Sequence, residues 1–221
     1  MPISFCPTNS KQSRCSQVTW KNTVLIGSRT LSGIKIVDME TLKLAITTLH
    51  EQYRIPHIMI TSISLPTPGA EPYLSVMGST FTSTAAPRIF GVKIPAIDCF
   101  FSGTGDMFAA LMLVRLREAV FKVEGLSDKT SWVSDDGVAP TDLPLAKATE
   151  KVLASMNQVL EKTKLSRDAE LEIYNAQVGG RNKEDDEKRL RLLTSKATEV
   201  RLVRNLGALK HPEVKFKAER V

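Results

Sequence analysis

The chain has 221 residues, 42% of them hydrophobic and 24% charged, enough for one sizeable core and poor material for a disordered segment, a disulfide miniprotein or a repeat array. Its formal net charge is +6, and about +5 of that lies after Gly180, where twelve Lys or Arg oppose seven Asp or Glu; a solvated helical face explains such a run better than a phosphate-seeking tail. No apolar run nears the roughly 20 residues of a membrane helix, MPISFCPTNSKQ has no apolar signal core, and Cys6, Cys15 and Cys99 show no metal-ligand spacing, so a soluble cytoplasmic protein with no membrane partner is expected.

Residues 1–30 are rich in Ser, Thr, Asn and Lys and keep neither a helical nor a strand period, so they read as poorly specified. Order begins near Ile34. Asp38 is an N-cap for METLKLAITTLHEQY, in which Leu42, Ala45, Ile46, Leu49 and Tyr53 follow helical spacing and predict one buried stripe. Pro56 ends that helix, and HIMITSIS (57–64) is a β-rich apolar run closed by the turn residues of LPTPGAEP. Two further strands, YLSVMGST (73–80) and RIFGVKIP (88–95), have the spacing of a hairpin.

After Pro95, IDCFFSGTGDMFAALMLVRL runs from a short strand-like approach through Gly103, Thr104, Gly105 and Asp106 into a helix apolar on nearly every side as far as Arg115, which predicts a buried helix. Residues 121–141 carry turn and acidic residues without a period and read as a surface excursion. Thr141 or Asp142 caps the next helix, with Leu145, Ala148, Val152, Met156, Val159 and Leu160 on one face. Two separate charged helical stretches follow, around SRDAELEIYNAQV and EKRLRLLTSKATEV, and VKFKAERV alternates enough for a terminal strand. His50, His57 and His211 stand far apart, so no histidine cluster is visible.

The chemistry concentrates at Gly103-Thr104-Gly105-Asp106. Two glycines let backbone approach a ligand, and the first N–H groups of a helix have no internal partner, so the turn is suited to an anion such as a phosphate. Asp106 is then either a first-turn residue stabilised by the helix dipole or a base beside a phosphoryl group. A plain helix start with glycines in the approach turn is the competing reading, and the composition of the turn does not separate the two.

The segment IDCFFSGTGDMFAALMLVRL resembles the anion-hole segment of the ribokinase-like superfamily, and ITSISLP (60–66) sharpens the resemblance to pyridoxal kinases. LSGIKIVDMETLKLAITTLHEQYRIPHIMITSISLP and the closing RLVRNLGALKHPEVKFKAERV are also similar to that family, the latter to its fungal-type members, so the likeness spans residues 31–221 with 121–141 as an insertion. It implies an α/β fold, a ribokinase-like sandwich of a central sheet flanked by helices, present here as its C-terminal portion only. It implies transfer of the γ-phosphoryl group of ATP to the 5'-hydroxyl of pyridoxal, pyridoxine or pyridoxamine. Asp106 would be the catalytic base and the N–H groups of Gly103, Thr104 and Gly105 the anion hole. Thr61 and Ser62 would contact nucleotide phosphates, and Ile97 and Leu160 would wall the adenine. ATP, Mg2+ and K+ are the implied small-molecule companions, and a homodimer the implied assembly.

The family's magnesium and phosphate motif, an asparagine followed three residues later by glutamate, aligns with Val24 and Gly27, neither of which has a side-chain oxygen. The chain thus resembles an N-terminally truncated kinase in which residues 1–30 are foreign to the fold. Loss of the central strands of a parallel sheet would expose edges and leave marginal stability. Two other readings stand beside the pyridoxal one: a different ribokinase-like kinase, such as one for hydroxymethylpyrimidine, and a non-catalytic remnant that retains nucleotide affinity. Nucleic acid is not an expected partner, because the basic end brings charge without a stacking or groove-reading module.

Overall fold

The computed structural model describes residues 31–63, 73–177 and 183–221. The expectations for residues 1–30, including Val24 and Gly27, and for the Leu65-Pro66 turn fall outside them, as does the side chain of Ser62.

Helix α1, Met39–Tyr53, starts as its sequence requires: the Thr41 amide donates to Asp38 Oδ1 at 2.8 Å and Thr41 Oγ1 accepts from the Asp38 amide at 3.1 Å. These hydrogen bonds to the charged form hold the Asp38 carboxyl below its ordinary value. Leu42, Ala45, Ile46 and Leu49 are buried as expected, but the stripe closes on His50; Tyr53 is exposed and its hydroxyl donates to the Leu31 carbonyl. His50 Nδ1 lies 2.7 Å from the Ile55 carbonyl and can only donate there, so Nε2, 2.8 Å from Ser79 Oγ, is the acceptor.

Four strands follow: β1, His57–Ile63; β2, Tyr73–Phe81; β3, Pro87–Pro95; and β4, Ala218–Arg220. They form one sheet in the order β1-β2-β3-β4, and every pairing is antiparallel. The hairpin and the terminal strand match the sequence reading; β2 and β3 each return directly beside the strand before them, which makes these neighbours antiparallel. Within the hairpin Gly78 faces Phe90, whose ring occupies the space a side chain would take: a Cβ on Gly78 would lie 2.2 Å from Phe90 Cζ.

One face of the sheet packs Ile58, Ile60, Ile63, Met77 and Ile89 against α1. The other packs Val76, Phe90 and Val92 beneath two helices, α2, Thr104–Val120, and α3, Pro144–Gln177. Helix α4, Lys183–Ala197, and the short α5, Leu206–Lys210, complete the chain. The layers are helix, sheet, helix, as a sandwich requires.

Three expectations change. Helix α2 buries Met107, Arg115 and Val120 but leaves Leu113 71% and Val114 55% exposed; its apolar packing runs through Met107, Phe108, Leu111, Met112 and Leu116, and Arg115 Nη2 donates to the Leu209 and Lys210 carbonyls, while the flank of Leu113 and Val114 has no described layer against it. Helix α3 is a single helix that absorbs SRDAELEIYNAQ, and it begins at Pro144, with the Lys147 amide donating to Leu143, because Pro140–Asp142 winds into a separate 3-10 turn. The excursion at 121–141 is anchored: Leu126 is buried, and Arg88, 7% exposed, donates through Nη1 to the Asp135 carbonyl at 2.6 Å and through Nη2 to those of Ser134 at 3.0 Å and Phe81 at 3.2 Å.

Candidate functional site

The loop from β3 to α2 is held before the helix begins. Ser102 forms a parallel bridge with Glu199, its amide donating to Thr198 at 3.0 Å and its carbonyl accepting from Val200 at 3.3 Å. Gly103 then takes the left-handed conformation, φ 86°, with Val200 against the side where a Cβ would stand. The first intrahelical bond runs from the Met107 amide to the Gly103 carbonyl at 3.1 Å, so the amides of Thr104, Gly105 and Asp106 precede it. Met107 fixes this end by packing with Val159 and Ala208.

Beside this turn lies a cavity of about 240 Å³. Thr61 of β1, Ile97 of the loop, Thr104 and Gly105 of α2 and Leu160 of α3 all line it, so five of the residues singled out in the sequence meet around one space. Gly103 and Asp106 belong to the same turn but not to the cavity lining; Asp106 is exposed.

Thr61 reaches the cavity through an irregularity in β1. Ile60 pairs with Met77 and Ile63 with Ser75, three residues against two. Strict alternation would put Ile63 on the face opposite Ile60, yet both pack against α1; the extra residue at 61–62 restores Ile63 to that core while Thr61 faces the cavity. The apolar pair Ile60 and Ile63, three apart, is the sequence signal for this bulge.

Two polar side chains on the cavity lining, Cys99 and Asn157, were not among the site residues expected from the sequence. Cys99 accepts from Arg167 Nη1 at 3.0 Å and donates to the Phe100 carbonyl at 3.3 Å; burial pushes its thiol pKa up against the opposing effect of Arg167. Asn157, on the apolar stripe between Met156 and Leu160, donates through Nδ2 to Glu161 Oε1 at 2.8 Å. An amide amid an apolar helix face was the available signal.

No group of three or more His, Cys, Asp or Glu side chains gathers among the described residues, and no described helix is long and apolar enough to cross a membrane. The described residues near the turn do not form a protein-made magnesium cage, which needs several oxygens around one point.

The fold is that of a ribokinase-like α/β protein, present in part. Solved structures similar to it include a Leishmania donovani pyridoxal kinase in complex with ADP, TM-score 0.57 at 15% identity, covering 89% of this chain and 50% of that one, and a Plasmodium falciparum PdxK with AMP-PNP and PL, TM-score 0.52 at 18% identity, covering 93% and 54%. In sequence the chain is similar to two Schizosaccharomyces pombe proteins with provisional pyridoxal kinase names, each at 29% identity: one over 133 residues, 60% of this chain and 38% of the relative, the other over 192 residues, 86% and 50%. No family model matches the chain. Sequence and fold together match part of a pyridoxal kinase, and the chain spans half or less of the length of these two relatives.

Proposed function

We propose that the chain carries the nucleotide-binding and proton-removing part of a vitamin B6 kinase, which transfers the γ-phosphoryl group of ATP to the 5'-hydroxyl of pyridoxal, pyridoxine or pyridoxamine. The observation that carries this reading is the helix start at Thr104, opened by a left-handed Gly103, on the wall of a cavity that Thr61 also lines. The cavity takes the nucleoside, and the helix-start amides face the phosphoryl oxygens as negative charge builds there. Each such donor is worth about 3 kcal/mol in comparable sites.

Asp106 accepts the proton of the attacking hydroxyl. The new bond joins that oxygen to the γ-phosphorus, the bond from the γ-phosphorus to the β–γ bridging oxygen breaks, and ADP leaves with the electron pair. Exposure of Asp106 leaves it open to a second substrate next to the cavity. Magnesium would ride on the nucleotide phosphates and no step here passes through it; K+ and a homodimer belong to the proposal on the family likeness alone. Absence of close cysteine spacing supports a cytoplasmic setting.

A second reading, nucleotide binding without turnover, is favoured by Val24 and Gly27 at the positions where the family's Asn and Glu align. One pair of assays separates them: ADP affinity by calorimetry, and pyridoxal phosphorylation with ATP, on the same preparation. Kinase function predicts turnover that Asp106→Asn abolishes while ADP binding persists. Binding with no wild-type turnover selects the second reading, and unchanged turnover in Asp106→Asn removes the proposed base.

A further inference from the structure

The cavity has a feature that a phosphate-gripping turn does not require. Its lining includes the apolar side chains of Ile97, Phe100, Met156 and Leu160, and apolar walls hold any purine equally well. The polar side chains on the lining are Thr61, Cys99, Thr104 and Asn157. Thr104 belongs to the anion turn, and Thr61 sits at the bulge the family likeness assigns to phosphate. The Cys99 sulfur is engaged by Arg167 and its thiol donates to Phe100. Asn157, one helical turn before Leu160, is the side chain left to read a base edge.

We propose that Asn157 selects adenine over guanine in the bound nucleotide, and that Glu161 makes the selection possible by fixing which way the amide faces. This rests on the nucleotide-binding reading above. An unrestrained asparagine amide discriminates poorly, because turning it over exchanges donor for acceptor. Here Nδ2 donates to Glu161 Oε1 at 2.8 Å. A carboxylate only accepts, so the turned-over amide would set Oδ1 against it. The lock consumes one N–H and leaves Oδ1 together with the second N–H. Adenine presents an exocyclic amino donor beside a ring acceptor, the complement of that pair. Guanine presents a carbonyl oxygen where adenine has the amino group, and Oδ1 would face it with no proton between.

The test measures ADP and GDP affinities by calorimetry on wild-type chain, Asn157→Leu and Glu161→Gln, with circular dichroism as a check on folding. Wild type is expected to prefer ADP by about tenfold or more, the discrimination typical of a paired amide and base. Asn157→Leu should bring the two affinities within about threefold of each other, since the paired contact that separates them is gone. Glu161→Gln, whose side chain can present either oxygen or nitrogen to Asn157, should raise GDP affinity while ADP affinity holds; a residue that merely packs would not move the ratio this way. If Asn157→Leu does not fold, Glu161→Gln decides.

Equal wild-type affinities, or an unchanged preference in both variants while ADP still binds, overturn the assignment of Asn157 and leave the nucleotide site standing. Failure of the wild type to bind either nucleotide overturns the nucleotide reading and this assignment with it.

Discussion

Arg88 offers a sharp test of how the fold is tied together. It leaves β3 almost wholly buried, and its guanidinium bonds carbonyls on two sides: Phe81 of β2, and Ser134 and Asp135 of the excursion, with Val138 at 3.3 Å as a fourth. Hydrogen bonds to a charged donor contribute about 1.5–3 kcal/mol each, but desolvating the guanidinium offsets part of this and the released carbonyls recover some water. Arg88→Met, which keeps most of the stem and removes every donor, is therefore expected to cost about 2–4 kcal/mol. Arg88→Lys should recover only part, because one ammonium cannot reproduce the planar fork. Urea unfolding gives the magnitude, and limited proteolysis gives the place, with new cleavage expected between 121 and 141. Stability within about 0.5 kcal/mol of wild type, the ordinary range for a surface change, would refute the anchoring role.

Gly78→Ala forces a Cβ to within 2.2 Å of the fully buried Phe90 ring and 2.8 Å of Met59 Sδ, so a loss of about 1–3 kcal/mol is expected in chemical denaturation. Gly103→Ala places a side chain at φ 86° with Val200 Cγ2 3.2 Å from its Cβ; a loss of roughly 1–2 kcal/mol from the left-handed backbone should accompany weakened ADP binding in calorimetry. Burial holds the pKa of His50 and His57 below the ordinary 6.5, so the unfolded chain binds protons first: stability should be constant above about pH 7 and fall as pH drops through 6.5 toward the depressed folded values. Thermal melts from pH 8 to 5 check this, and His50→Gln should flatten the slope.

How much was legible from residues alone depended on whether a feature was local. The bounds of helix α1 and most of its buried stripe were readable because Asp38, the 3.6-residue spacing and Pro56 all act within a few positions, whereas the exchange of Tyr53 for His50 at its end depends on Ser79 of β2 and the Ile55 carbonyl. The hairpin was readable because its strands are neighbours in sequence. The burial of α2 was not: an apolar composition shows what a helix can bury, while what lies against Leu113 and Val114 is set by other elements. The same holds for residues 121–141, whose polar composition masked an arginine reaching them from β3. At the candidate site, the glycine turn and Thr61 were visible as motifs, whereas Asn157 and Cys99 reach the cavity only through the packing of α3 and the approach loop.

The account stands on the helix start at Thr104 holding nucleotide phosphate, and amide NMR on the 15N-labelled chain during ADP titration reads it directly. The amides of Thr104 and Gly105, with Gly103 beside them, are expected to show the largest saturable shifts, reproduced in part by inorganic pyrophosphate. Saturable ADP binding whose shifts lie elsewhere, with the amides from 103 to 106 unmoved, would contradict it.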